Sequence, residues 1–160
     1  MDAPTVHRFP IAHSQKSLNS QQMRSKRSKT KQPQPKRVVF LFDVDNTLLD
    51  NDRVIEDLRV YLRKEVGPEK CNRYWKILEH RRAQVGYADY LGALQRYRDD
   101  FPDDTHLLAV SHYLIEYPFA NRLFPNSLDA IRHVQRWGPA VLLTDGDVVF
   151  QPRKVQRAGL

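Results

Sequence analysis

Hydrophobic residues gather in two short runs, one near residue 40 and one near residue 140. The first run, residues 38–42 with Val44, is typical of a strand that is buried on both faces of a parallel sheet. The second run, residues 140–143, is equally short and apolar. Roughly 95 residues separate the runs, which is too many for one connection between neighbouring strands. The pattern therefore predicts an α/β fold with an insertion.

The insertion has the pattern of helices. Apolar residues recur there three or four positions apart, as on a helix with one buried face, and no strand pattern competes. A small helical bundle is therefore predicted over residues 51–119. The first predicted helix begins at Asn51 or Asp52 and ends at Gly67-Pro68, and the second runs from about Glu69 to about Arg82. The third runs from about Tyr87 to about Tyr97, and the fourth begins at Asp104 and ends before Pro118.

Two further helices are predicted around the second apolar run. Asn126 or Ser127 is placed to cap the first, and Gly138-Pro139 ends it just before the strand. The second is an amphipathic stretch over residues 148–158, despite Pro152 within it.

Two carboxylates stand where the first strand should end. Asp43 and Asp45 lie two positions apart, and Asn46-Thr47 after them is typical of a turn. Carboxylates beside a buried strand are costly unless a cation or a reacting group compensates them. Open α/β sheets bind their ligands at the carboxyl ends of parallel strands. A ligand site is therefore predicted at this point.

These segments resemble two motifs of the haloacid dehalogenase-like (HAD) hydrolases. The apolar strand followed by Asp43-x-Asp45-Asn46-Thr47 is similar to motif I, and residues 140–147, a second strand ending in Thr-Asp-Gly, are similar to motif II. The resemblance implies a Rossmann-like α/β core with a parallel sheet, incomplete in this chain, and an inserted α-helical cap. It assigns residues 37–50 and 120–160 to the core and 51–119 to the cap.

The resemblance implies a role for each matching residue. Asp43 is the expected nucleophile, which becomes an aspartyl-phosphate, and Asp45 is the expected general acid/base. Thr144, with the N–H groups of Asp145 and Gly146, is expected to bind the transferring phosphoryl group. Mg²⁺ is the expected cofactor, held by the side chain of Asp43 and the main-chain carbonyl of Asp45.

Other polar residues nearby are given smaller roles. Asn46 and Thr47 are interpreted as shaping the turn. A solvated loop is the alternative for Asp145 and Asp147. Lys154 follows Thr144 within the last predicted helix, whereas the family's catalytic lysine follows a later loop, so we interpret Lys154 as a surface residue.

The implied activity is Mg²⁺-dependent hydrolysis of a small phosphorylated metabolite. The acid at position 45 favours phosphatases and phosphotransferases, because the family's dehalogenases lack an acid there and use no metal. Two alternatives stay open. One is a catalytically incompetent HAD-like module that binds a partner or nucleic acid, and the other is phosphotransferase or, less favoured, dehalogenase chemistry.

The resemblance also implies two later motifs, a charge-neutralising lysine and an acidic pair that completes the Mg²⁺ site. Both would follow motif II by several tens of residues, whereas the sequence ends at Leu160. We therefore expect either a fragment or a truncated product with an exposed hydrophobic sheet edge, weak Mg²⁺ binding and little turnover.

The net charge of +7 suggests a nucleic-acid binder until the charges are located. Residues 1–37 hold nine Lys or Arg and one acid, whereas residues 38–160 hold seventeen basic and eighteen acidic residues. Residues 1–36 are rich in Ser, Gln, Lys and Pro, so a disordered basic tail is predicted. Weak binding of polyanions or a membrane surface by residues 24–31 is one expectation, and a dispensable tail is another. A targeting peptide, or sequence upstream of a later start at Met23, also stays open.

Little else in the sequence restricts the compartment. No stretch has the length of a transmembrane helix. Cys71 is the only cysteine, so an internal disulfide is excluded and a reducing cytoplasm is expected.

Overall fold

A computed structural model describes residues 38–160, and the predicted basic tail lies outside this range. Helices dominate, and the predicted α/β class is confirmed. In chain order the described elements are β1 (Phe40–Asp43), α1 (Asn51–Val66), α2 (Pro68–Val85), α3 (Tyr90–Asp100), α4 (Leu107–Glu116), a 3-10 helix (Phe119–Arg122), α5 (Ser127–Val134), β2 (Ala140–Leu143) and α6 (Phe150–Ala158).

β1 and β2 form a parallel pair, as the two apolar runs predict. Asp43 lies opposite Leu143, so the two strands end at the same edge. The two segments that lead into the strands approach each other closely. A Cβ on Gly138 would lie 2.1 Å from the carbonyl oxygen of Val38. Only glycine fits at that crossing, since the group it meets is backbone.

The prediction that the first strand is buried on both faces is wrong. Partly buried and exposed residues alternate along both strands. Leu142 packs against the hydrophobic core, whereas Leu41 is 61% exposed and Leu143 is 50% exposed on the other face. The physical reason is that residues 38–160 cover only one face of this two-stranded sheet.

One hydrophobic core joins the helices of the insertion to the helix after β2. Most of its buried side chains come from α1 to α4, the 3-10 helix and α6, and the turn after β1 adds Val44 and Leu49. The ring of Phe150 in α6 lies 5.0 Å from that of Tyr90 and 5.9 Å from that of Phe119, between centroids. The predicted helical bundle is thus confirmed, and it packs directly on α6. The division into core and cap remains a prediction.

Several helix ends differ from the predicted ones. Asp50 caps α1, in place of Asn51 or Asp52, by accepting the N–H of Arg53 at 2.9 Å. Helix α3 begins at Tyr90 because the Asp89 side chain accepts the N–H of Gly92 at 2.8 Å. 

The last two helices are shorter than their patterns predict. Helix α5 ends at Val134, well before Gly138-Pro139. Helix α6 tolerates Pro152 because that residue lies in the first turn, where an N–H has no partner within the helix. No helix within residues 38–160 is both long enough and apolar enough to cross a membrane.

The predicted start of α4 at Asp104 is wrong, since the helix begins at Leu107 and has no side-chain cap. Asp104 instead links several helices. The residue is only 8% exposed, and its carboxylate accepts hydrogen bonds from the Tyr97 hydroxyl at 2.6 Å, the Lys70 ammonium at 2.9 Å and the N–H of His106 at 3.0 Å. Burial alone would raise the pKa of Asp104, but these hydrogen bonds outweigh burial and lower it. One carboxylate therefore ties α2, α3 and the start of α4 together.

Candidate active site at the end of the first strand

Asp43 is the last residue of β1 and lies on the exposed face of the sheet. The Thr47 hydroxyl donates to Oδ2 of Asp43 over 2.8 Å, which orients the carboxylate. Thr47 can reach Asp43 because the turn after the strand is tight. In this turn the carbonyl of Val44 accepts the N–H groups of Leu48 and Leu49, both at 3.0 Å. The contact of Thr47 with Asp43 was not visible in the sequence, where Thr47 is only a turn residue.

Asn46 joins this turn to α1. Its φ of 58° lies in the left-handed region, which asparagine tolerates better than most residues. Its side-chain oxygen accepts the N–H groups of Asn51 at 2.9 Å and Asp52 at 3.2 Å. The predicted turn role of Asn46 is confirmed, and the same side chain helps to start the helix.

Lys154 is not the surface residue that the sequence predicts. Its side chain is 0% exposed, and its ammonium donates to Oδ1 of Asp45 at 2.5 Å. Burial lowers the pKa of Lys154, while the carboxylates of Asp45 and Asp43 act to raise it. Helix α6 therefore brings the Lys154 ammonium to the second carboxylate of motif I, that of Asp45.

Thr144 directly follows β2, so it lies at the same edge of the sheet as Asp43. Its hydroxyl donates to Oε1 of Gln151 at 3.0 Å, and Nε2 of Gln151 donates to the carbonyl of Asp145 at 3.1 Å. Gly146 has a φ of +145°, and a Cβ there would lie 2.7 Å from Nε2 of Gln151. Conformation and space both favour glycine, and Gln151 organises the predicted phosphate loop.

Sequence reasoning missed both Gln151 and Lys154. A signal for Lys154 was present, because it lies four residues after Phe150 and four before Ala158, and both of these are buried. Residues four apart share a face of a helix. The apolar pattern of α6 therefore places Lys154 on its buried face.

The two remaining acids of motif II differ in role. Oδ1 of Asp147 accepts the N–H groups of Val149 at 2.9 Å and Phe150 at 2.7 Å, so it caps the start of α6. Asp147 thus lies in the loop before α6 and also caps that helix. The side chain of Asp145 is exposed and fits the solvated-loop interpretation.

A cavity of about 410 Å³ opens beside the end of β1, between α1 and α2. Its volume suits a small ligand. Asp45 and Asp145 contribute to its lining, and so does Tyr90. Burial, together with the nearby charge of Asp45, raises the pKa of Tyr90 to about 12, so its hydroxyl remains protonated at neutral pH.

The end of β1 offers two oxygen ligands of the kind that Mg²⁺ prefers. Within the described part of the chain, Oδ1 of Asp43 has no hydrogen-bond partner and the carbonyl of Asp45 accepts no hydrogen bond. No group of three or more His, Cys, Asp or Glu that could hold a metal ion occurs within residues 38–160. The described residues therefore fit one part of a Mg²⁺ site.

The sequence and the arrangement at the sheet edge can be compared with known proteins. A family model described as haloacid dehalogenase-like hydrolase matches residues 38–160. The chain belongs to this family. No curated protein matches the chain significantly.

Solved structures of HAD-like hydrolases share the fold. A HAD-like hydrolase of Burkholderia xenovorans is 60% identical with a TM-score of 0.71, over 76% of this chain and 56% of that protein. A HAD-like family hydrolase of Xanthomonas campestris is 16% identical with a TM-score of 0.54, over 78% of this chain and 57% of that protein, which supports the fold alone. The chain thus spans little more than half the length of these HAD-like proteins.

Proposed function

We propose that the whole protein is a HAD phosphatase, a Mg²⁺-dependent hydrolase that acts on a small phosphorylated metabolite through an aspartyl-phosphate. The observation that carries this proposal is Asp45. It supplies a second acid beside Asp43, it contacts the buried Lys154, and it lines the 410 Å³ cavity. The dehalogenases of the family lack an acid at this position, so phosphate chemistry is favoured over dehalogenation.

In the first half of the proposed reaction, a carboxylate oxygen of Asp43 attacks phosphorus in line and the bond to the leaving oxygen breaks. Thr47 supports this step by holding one oxygen of the nucleophile at 2.8 Å. Asp45 gives a proton to the leaving alkoxide. In the second half, Asp45 takes a proton from water, which attacks the aspartyl-phosphate and releases phosphate from Asp43.

Charge on the phosphoryl group needs compensation in both halves. The donors we assign to the phosphoryl oxygens are the N–H groups of Asp145 and Gly146 and the hydroxyl of Thr144, which would have to turn away from Gln151 to donate. Mg²⁺ would be held by Asp43 and the carbonyl of Asp45, and when bound it neutralises phosphate charge. Lys154 holds the carboxylate of Asp45 at the cavity.

We propose further that residues 51–119 act as the cap and that residues 37–50 and 120–160 belong to the catalytic core. A cap beside the nucleophile would exclude water and select the substrate. The lone, buried Cys71 fits a reducing compartment, so we place the protein in the cytoplasm.

The test is hydrolysis of p-nitrophenyl phosphate by the whole protein, with Mg²⁺ and with a chelator. Turnover should require Mg²⁺, and Asp43→Asn should lower it by at least ~10³-fold because the nucleophile is lost. Asp129→Asn is a matched control, since this exposed aspartate of α5 lies outside the site. Unchanged turnover in Asp43→Asn would falsify the aspartyl-phosphate mechanism.

A further inference from the structure

Two arginines line the 410 Å³ cavity in addition to the acids near β1. They are Arg59 of α1 and Arg82 of α2. Within residues 38–160 neither guanidinium forms an ion pair, whereas two other arginines of α2, Arg73 and Arg81, are paired with aspartates. The cavity therefore contains cationic donors that this part of the chain does not neutralise.

Arg59 is held in place without using its hydrogen-bond donors. Its guanidinium lies 4.2 Å from the centroid of the Trp75 ring, a cation–π arrangement, and Trp75 is itself buried. A guanidinium held by its face keeps its N–H groups free for a planar or tetrahedral anion.

Arg59 lies well along α1 from the end of the helix that adjoins the turn after β1. Along α1, Arg59 lies eight residues beyond Asn51, which is about 12 Å at the rise of an α-helix. Four acids line the cavity, namely Asp45, Asp52, Glu79 and Asp145. Only Glu79 lies on α1 or α2 beyond the first turn of α1, so the two arginines outnumber the acids in that part of the lining.

We propose that Arg59 and Arg82 bind an anionic group on the leaving alcohol of the substrate. This inference rests on the proposed phosphatase function and names its substrate class: phosphomonoesters whose alcohol carries a carboxylate or a second phosphate several carbons away. The reacting phosphate lies at Asp43, and the second anion lies between α1 and α2.

A matched series of substrates tests the sign of the charge. Pentyl phosphate, 5-(phosphonooxy)pentanoate, pentane-1,5-diyl bisphosphate and 5-aminopentyl phosphate differ only at the far end. We expect kcat/KM for the carboxylate or the bisphosphate to exceed that for pentyl phosphate by about tenfold or more, as one charge-assisted hydrogen bond provides. Comparing these two compounds tells which anion is preferred.

Variants then locate the effect. Arg59→Gln and Arg82→Gln should each remove most of the anionic advantage, while kcat/KM for pentyl phosphate changes by no more than about twofold. Arg63→Gln is the matched control, because Arg63 is exposed on α1 one turn beyond Arg59 and does not line the cavity. It should retain the full advantage.

Calorimetric binding of the same four compounds to the Asp43→Asn protein separates this inference from the phosphatase proposal. Tighter binding of the anionic compounds, lost in the Arg59 and Arg82 variants, supports the anion site even if no compound is hydrolysed, and only the phosphatase proposal then fails. Equal binding of all four, or preference for the amine, overturns the anion site even if pentyl phosphate is hydrolysed.

Discussion

Lys154 has no contact with solvent, and its ammonium lies against the carboxylate of Asp45. Replacing it with Met keeps much of its volume and removes the cation. The Asp45 side chain is 32% exposed and can be hydrated, so the variant should still fold. Turnover of p-nitrophenyl phosphate should fall by at least ~10²-fold, because electrostatic compensation in an active site is a large part of catalysis.

A matched control for this prediction is Lys64→Met, which alters an exposed lysine in the last turn of α1. The control should keep its turnover. A Lys154→Met protein that unfolds at the same temperature as the unmodified protein and turns over equally fast would show that Lys154 has only a packing role.

Asp45→Asn should affect the two halves of the reaction unequally. The amide cannot take a proton from water, so hydrolysis of the aspartyl-phosphate should slow by about 10²- to 10⁴-fold. Phosphate bound covalently to Asp43 should then accumulate and can be measured after acid quenching. If quenched protein carries no phosphate while turnover is still reduced, Asp45 acts before the phosphoenzyme forms.

At the scale of residues, the sequence was sufficient to locate Asp43 and Asp45 at the end of a strand, because an apolar run followed by two acids is a distinctive pattern. Their catalytic roles remain predictions. Thr47 and Gln151 act through contacts that depend on how a turn or a helix is rotated, and no spacing rule fixes that rotation closely enough. Lys154 was misjudged because its distance from Thr144 received more weight than its helix face.

At the scale of elements, Asp104 should be a main source of stability for the helical bundle. Its pKa is lowered in the folded state, so its contribution is fully present above the unfolded pKa of about 3.9 and is lost as pH falls towards the folded pKa. Asp104→Asn should lower the free energy of unfolding at pH 7 by about 2–3 kcal/mol, because two hydrogen bonds to a charge are weakened in a buried site.

Urea unfolding at pH 7 and at pH 3 measures this effect, and the difference between the two proteins should shrink at the lower pH. Asp103→Asn is the control, since Asp103 is exposed next to Asp104. An equal loss at both pH values would mean that shape rather than charge makes Asp104 important.

Most helices were predictable because their apolar residues repeat at helical spacing, as in α1 with Val54, Leu58 and Leu62. Their ends were not, because a cap depends on which of several neighbouring polar side chains turns back to the helix, as Asp50 does. The burial of β1 was also misjudged. An apolar run indicates that both faces of a strand can be buried. Whether they are buried depends on which other elements pack against each face of the sheet.

At the scale of the whole molecule, the excess positive charge lies in residues 1–37. A protein beginning at Pro35 should therefore lose most of its binding to heparin, while its melting temperature and phosphatase activity stay unchanged. Binding by the longer protein should weaken by at least ~10²-fold between 50 and 200 mM salt, because phosphate or sulfate contacts release counterions.

A second basic surface could contradict this prediction. A groove on α2 and α3 contains five basic side chains, but its three arginines each form an ion pair with an aspartate. We expect it to bind polyanions weakly. If heparin binding survives the loss of residues 1–34, we would assign it to this groove. The basic side chains of the groove are Arg73, Lys76, His80, Arg81 and Arg96.

The stacking of Arg59 on Trp75 also gives the molecule an internal optical label. The chain has two tryptophans, and they differ sharply in environment: Trp75 is 9% exposed at the cavity, whereas Trp137 is 60% exposed beyond α5. With Trp137 replaced by Phe, all indole fluorescence would come from Trp75. A ligand that draws the guanidinium away from that ring would then change the emission directly, so occupancy of the cavity could be followed in real time without any chemical turnover.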